Sequence, residues 1–116
     1  QPGREVIVGF RRDPQFGPVV MAGLGGIYTE ILQDVSLRVA PVNEEAALTM
    51  LKELKTWPLL DGARGAGKAD VQALARLIAA FSHLPFIYPE LQEGELNPVF
   101  VWEDGLCAAD ARLILG

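Results

Sequence analysis

This 116-residue chain has a single cysteine, Cys107, and a single histidine, His83. One thiol excludes an internal disulfide and favours a reducing, cytoplasmic setting. One imidazole near a helix end leaves no Ser-His-Asp or Cys-His constellation to assemble. Basic charge is short as well, with ten Lys and Arg against fifteen Asp and Glu, a formal charge of −5. A nucleic-acid partner is therefore not expected, because such binding needs a cationic surface that displaces counterions. No apolar run approaches the roughly 20 residues that span a bilayer, and the N-terminus lacks a signal-peptide core, so no membrane partner is expected either. Gly-Lys-Ser/Thr, internal repeats and low-complexity tracts are absent. What is present is half hydrophobic, which fits one soluble globular domain over residues 1–116. The size is ample for a core but small for a whole enzyme with a nucleotide site. The chain opens almost directly in a strand at Arg4, which reads as a piece of something longer.

Val6, Val8 and Phe10 alternate with Glu5, Ile7, Gly9 and Arg11, predicting a first strand. Asp13-Pro14-Gln15-Phe16-Gly17 is a turn, and Pro18 to Ala22 returns as a second strand. Gly23-Leu24-Gly25-Gly26 breaks it; Ile27 to Leu32 has no clear assignment, and Val35 to Val39 is a third strand ending at Pro41. Asn43 is an N-cap with Glu44 and Glu45 in the first turn, where the helix dipole favours acids. Its helix buries Ala47, Leu48, Met50, Leu51 and Leu54 and ends before Pro58. A loop through Arg64 leads to a second helix from about Asp70 to His83, striped by Val71, Leu74, Leu77, Ile78 and Phe81 and stopped by Pro85. Phe86 to Gln92 reads as irregular. Helices grouped between runs of antiparallel strands imply an α+β two-layer sandwich, with a mainly antiparallel sheet, two helices on its greasy face and the other face open.

The stretch Glu95 to Leu115 carries most of the chemistry. Asp104-Gly105 is a two-residue hairpin turn signal. That turn pairs Val101 with Ala108, Val99 with Asp110 and Asn97 with Arg112. Alternation then sends Glu95, Asn97, Asp110 and Arg112 to one side. Leu96, Phe100, Trp102, Cys107, Ala109, Ala111, Leu113 and Leu115 go to the other, a core face against the helices. Asn97 and Asp110 become diagonal neighbours with Cα atoms about 7–8 Å apart. A carboxylate and an amide oxygen converging on an open face suit Mg²⁺, which takes few protein oxygens and keeps water or phosphate for the rest. The same residues would equally serve as solvated charges on a wet hairpin face. Pro98 cannot donate to a ladder, so the strand there is an edge or is kinked.

The remaining constellations are weaker. Gly23-Leu24-Gly25-Gly26 could bring backbone N–H groups to a phosphate, or be a plain turn or bulge. Glu30 is a candidate carboxylate at the same place, and as a lone acid also an ordinary surface residue. Arg64, flanked by glycines, either reaches an anion or is solvated. His83 reads as structural, and Cys107 as a small buried hydrophobe.

In sequence order, Gly3-Arg4-Glu5-Val6-Ile7-Val8-Gly9, Arg12-Asp13-Pro14-Gln15-Phe16-Gly17-Pro18-Val19-Val20-Met21 and Gly23 to Glu30 carry a resemblance. Val35 to Pro41, Leu60-Asp61-Gly62-Ala63-Arg64-Gly65, Glu95-Leu96-Asn97-Pro98 and Asp110-Ala111-Arg112 continue it. Together they resemble the C-terminal subdomain of the ATP-grasp part of NDP-forming acyl-CoA synthetases, over nearly the whole chain; succinyl-CoA synthetase β chains are similar. The resemblance implies an enzyme, an acid–thiol ligase interconverting acyl-CoA, ADP and phosphate with acid, CoA and ATP through a phosphohistidine. It assigns Mg²⁺ to Asn97 and Asp110, with Glu95 assisting, and places Gly25, Gly26 and Glu30 near the phosphates of ATP or ADP. It also implies partners: the remaining ATP-grasp subdomain and the CoA-binding and ligase domains. His83 has no matching loop motif, so the fragment alone is expected to be inactive. The alternative is a non-catalytic, regulatory synthetase-like region fused to a lysine acetyltransferase.

Overall fold

The structure is a computed structural model that describes residues 4–25, 34–62 and 69–116. β1 (Arg4–Asp13) and β2 (Gly17–Leu24) form an antiparallel hairpin, and β3 (Val35–Val39) pairs with β2. Helices α1 (Glu44–Lys52), α2 (Trp57–Leu60), α3 (Val71–Ser82) and α4 (Leu84–Ile87) follow. β4 (Leu91–Trp102), β5 (Gly105–Ala108) and β6 (Ala111–Leu115) close the chain. The sheet runs β3-β2-β1-β4-β5 and is antiparallel at every pairing, with β6 joining β4 alongside β5. This is the anticipated α+β arrangement.

Local chemistry explains the punctuation. Asp13 accepts the N–H groups of Gln15 and Phe16 at 2.8 and 3.0 Å, closing the first turn, and Gly17 supplies the φ of 76° that returns the chain. Those two bonds hold the Asp13 carboxyl below its usual range. Asn43 caps α1 through the Ala46 N–H, and Asp70 caps α3 through that of Ala73. Two short elements were not anticipated: Pro58 and Pro85 each sit in the first turn of a one-turn helix, where a missing N–H costs nothing. Prolines read as stops are thus starts as well.

The sheet face turned to the helices presents Val6, Val8, Phe10, Val20 and Ala22, which join Ala47, Met50, Leu51, Leu74, Ile78 and Phe81 in one core. Phe10 and Phe81 meet with ring centroids 5.2 Å apart. The join between helices and sheet is polar and fully bonded. Asp34, 7 % exposed, accepts the Lys55 N–H at 2.8 Å and the Thr56 N–H and hydroxyl at 2.7 and 2.5 Å. Burial raises the Asp34 pKa, but the Thr56 hydroxyl, the two backbone donors and the Lys55 charge together outweigh it, so the net displacement is downward. Ser36 and Arg38 on β3 both bind the Glu53 carboxylate just beyond α1, which lowers its pKa, the Arg38 bond first.

Among the described residues, the opposite face carries no helix. Glu5, Ile7, Gly9 and Arg11 of β1 lie there by alternation, beside Val19 and Met21 of β2 and Val35, Leu37 and Val39 of β3. Leu37 and Val39 are more than half exposed.

Candidate functional site

The open face becomes polar along β4 and β6. Glu95 pairs with Arg112 in the ladder, and the Asn97 N–H donates to the Asp110 carbonyl at 3.2 Å. The predicted diagonal pair is therefore a directly opposed one. The hairpin register differs by two residues: Val101 pairs with Leu106 and Val99 with Ala108, so Glu103 and Asp104 form the turn. Gly105 takes φ 148°, a backbone region that disfavours side chains, and this lets the partner strand begin one residue earlier than the turn signal suggested. A slip of two preserves every face, so the site residues kept theirs.

A bulge then divides the hairpin into two halves of opposite phase. Val6 pairs with Val99 but Val8 with Leu96, so Asn97 and Pro98 together oppose the single residue Ile7. Pro98, in a cis peptide with Asn97, offers no N–H, while its carbonyl accepts the Ala109 N–H at 2.9 Å. Beyond this point Val99 and Val101 point to the core, at 0 and 1 % exposure. Phe100 and Trp102 lie half-buried on the open side with ring centroids 6.1 Å apart. This corrects the expected core face. Phe100 and Trp102 do not pack on the helices. Cys107 is exposed, as are Ala109, Ala111, Leu113 and Leu115, and Leu106 joins the core instead. The alternation rule carried through a proline where the chain adds a residue, and the assignments from Val99 to Cys107 inverted, while Ala111 and Leu113 keep their side opposite Leu96 and Gly94 but lie exposed.

Glu95, Asn97, Asp110 and Arg112 line one small pocket of 150 Å³. The Asn97 amide nitrogen donates to Glu95 at 3.5 Å, which leaves its oxygen directed elsewhere. One Asp110 oxygen accepts the Ala111 N–H at 2.9 Å, and the second has no partner among the described residues. Two carboxylates and an amide, all hard oxygen donors, fit Mg²⁺ and offer nothing to a thiophilic ion. No group of three or more His, Cys, Asp or Glu suited to a metal occurs among the described residues. An ion here would therefore complete its shell with water or phosphate.

A larger groove of 380 Å³ adjoins it, lined by residues including Gly9, Met21, Leu37, Glu95, Arg112 and Ile114. Gly9 is among its lining residues, and a Cβ there would approach the Gly94 carbonyl oxygen to 3.2 Å. Arg112 lines both spaces. Sequence reasoning placed it on the face but gave it no role; its signal was the strand position two beyond Asp110.

The other expected residues fall away from this cluster or outside it. Gly25 is buried and its N–H donates to the Glu5 carbonyl at 2.8 Å, which leaves no donor there for a phosphate. Gly26, Glu30 and Arg64, and the unassigned element at Ile27 to Leu32, lie outside the described residues. His83 caps α3 with Nδ1 2.7 Å from the Ala79 carbonyl, the structural role expected of it.

A model of the ATP-grasp domain matches residues 1–115. The chain is 55 % identical over 113 residues to the β subunit of acetate–CoA ligase [ADP-forming] I of Pyrococcus furiosus, covering 97 % of this chain and 49 % of that one. It is 47 % identical over 114 residues to acetate–CoA ligase [ADP-forming] I of Archaeoglobus fulgidus, covering 98 % of this chain and 17 % of that one. The chain thus spans half or less of these relatives. Among solved structures, it matches dinucleotide-forming acetyl-coenzyme A synthetase 1 of Ca. Korarchaeum cryptofilum at TM-score 0.95 and 44 % identity, covering 100 % of this chain and 55 % of that one. That structure is a complex with coenzyme A and Mg-AMPPCP, its phosphohistidine segment pointing towards the nucleotide-binding site.

Proposed function

The chain belongs to the ATP-grasp domain family, and on that premise we propose that it is the Mg²⁺- and nucleotide-binding half of an ADP-forming acyl-CoA synthetase. Residues 1–116 are then the C-terminal ATP-grasp subdomain of a larger cytoplasmic ligase. Its partners are the other ATP-grasp subdomain and the CoA-binding and ligase domains, and the phosphorylated histidine belongs to one of those parts.

One observation carries the reading: Asn97 and Asp110 oppose each other on the face turned away from the core helices, each with an oxygen left over after its local hydrogen bonds. Glu95 stands beside them. A Mg²⁺ ion held there supplies positive charge to the phosphate oxygens of ATP or ADP. Asn97 and Asp110 fix where that charge sits, because Asn97 lies on β4 and Asp110, in the break between β5 and β6, is tied to it by the Asn97 N–H. Glu95 adds a second carboxylate, directly or through water. The family resemblance assigns Gly25, Gly26 and Glu30 to the phosphate end of the nucleotide; Gly25 itself offers no N–H there, because that group is bonded to the Glu5 carbonyl. The open sheet face supplies the surface on which the nucleotide lies.

The test is Asp110→Asn in the intact enzyme. Asn preserves an acceptor for the Ala111 N–H, so thermal unfolding should hardly move. Loss of the carboxylate should lower phosphoenzyme formation from labelled ATP by roughly 100-fold or more, while CoA-side exchange that uses no metal suffers less. Wild-type phosphorylation in the mutant would remove Asp110 from the metal site.

A further inference from the structure

We propose that Arg112 is a phosphate-binding residue of this site, gripping the terminal phosphate of the nucleotide independently of the metal. The proposal rests on the nucleotide reading above and extends it to a residue with no role so far.

Arg112 sits directly opposite Glu95 in the β4–β6 ladder and two residues beyond Asp110. It is the one cation lining the 150 Å³ pocket. Despite two carboxylates close by, its guanidinium forms no hydrogen bond or ion pair with any described residue. Most other described arginines are engaged: Arg38 binds Glu53, Arg76 pairs with Glu44 at 3.8 Å, and Arg4 and Arg12 bind backbone carbonyls; Arg11, likewise uncommitted, lines the adjoining groove but not the 150 Å³ pocket. An uncommitted guanidinium on a paired strand keeps its fork of donors for an oxyanion, and that fork matches phosphate bidentately.

Charge balance points the same way. Two carboxylates and one Mg²⁺ sum to zero, so the phosphates brought by the nucleotide meet no net attraction from those groups alone. Arg112 adds the missing positive charge. Its position also favours the far end of a polyphosphate, since it borders both the metal pocket and the adjoining groove. A phosphate bridging the two spaces can touch the metal on one side and the guanidinium on the other. A nucleoside monophosphate, which has no second phosphate, cannot do so.

The experiment measures binding of ADP and AMP by calorimetry to the intact enzyme, with Mg²⁺ and with EDTA, for wild type, Arg112→Gln, Arg112→Lys and Asp110→Asn. Arg112→Gln should weaken ADP roughly 10- to 100-fold, with and without Mg²⁺, and leave AMP unchanged. Arg112→Lys should recover part of the loss, keeping charge without the fork. Asp110→Asn should instead abolish the difference between Mg²⁺ and EDTA. If Arg112→Gln binds ADP as wild type does, or loses ADP and AMP alike, the proposal is overturned. Retained Mg²⁺ dependence in Asp110→Asn overturns the metal reading instead, whatever Arg112 does. Arg112→Lys, which preserves charge on the strand, decides the matter through the ADP-to-AMP ratio should the glutamine variant fold poorly.

Discussion

Asn97 and Asp110 are joined backbone to backbone, the Asn97 N–H donating to the Asp110 carbonyl at 3.2 Å, at the place where both strands change phase. Their side chains share a pocket that the adjoining hydrophobic strand positions do not enter. The proposed metal-ligand pair is thus set by a bulge and its neighbour, features that re-aim side chains next to functional sites.

That pocket is shallow. At 150 Å³ it is smaller than the roughly 300–1,000 Å³ of ordinary ligand pockets, and among the described residues its face has no second wall. The chain alone should therefore bind Mg-ATP with a dissociation constant of about 1 mM or weaker. Calorimetry on the isolated chain checks this, and micromolar affinity would contradict a half-site.

Asp34 ties the start of β3 to the α1–α2 turn through three accepted bonds. Its removal by Asp34→Ala should cost about 2 kcal/mol, the scale of losing charge-assisted hydrogen bonds to groups left buried. Because its folded pKa lies below the ordinary 3.8, the carboxylate's contribution is complete above that value. It is lost as pH falls through the lowered folded pKa. Denaturant titrations of both proteins from neutral to acid pH should converge below pH 3.8; a gap unchanged at low pH would show that charge is not the cause.

Gly94 faces the core under Phe10. A Cβ there would lie 2.5 and 2.9 Å from two ring carbons of Phe10 and 3.0 Å from a Leu113 methyl. Phe10 is itself held by Phe81, so the ring has little room to move. Gly94→Ala should destabilise by about 1–3 kcal/mol, read as a lower denaturation midpoint with an unchanged slope. Wild-type stability would mean that the ring shifts freely.

Arg12 reaches across the end of the sheet to three carbonyls, those of Leu91, Pro85 and Pro89, at 2.7, 2.6 and 3.1 Å. It holds the segment from α4 into β4, where Phe86, Ile87 and Tyr88 are half or more exposed. Arg12→Met keeps the aliphatic stem and removes the donors. Chymotrypsin should then cut after Phe86 several-fold faster, because local opening exposes cleavage sites before global unfolding does. Mass spectrometry of early fragments identifies the cut; an unchanged rate after Phe86 would show that Arg12 does not hold the segment.

Period and caps determined much of this protein from sequence. Val6, Val8 and Phe10 alternate on a strand that stays regular, and Asn43 and Asp70 cap helices whose apolar stripes fill the core as read. These features depend on residues near in sequence, whose geometry neighbours impose. Tertiary structure decided the rest. The phase of Phe100, Trp102 and Cys107 depends on a bulge that exists only because β4 must pair with β1 on one side and with β5 and β6 on the other. The neighbours of Arg112 likewise come from a ladder across 17 residues, between Glu95 and Arg112. Residue types made Asn97 and Asp110 competent ligands, and the opposing strands, long-range in sequence, brought their oxygens to one pocket.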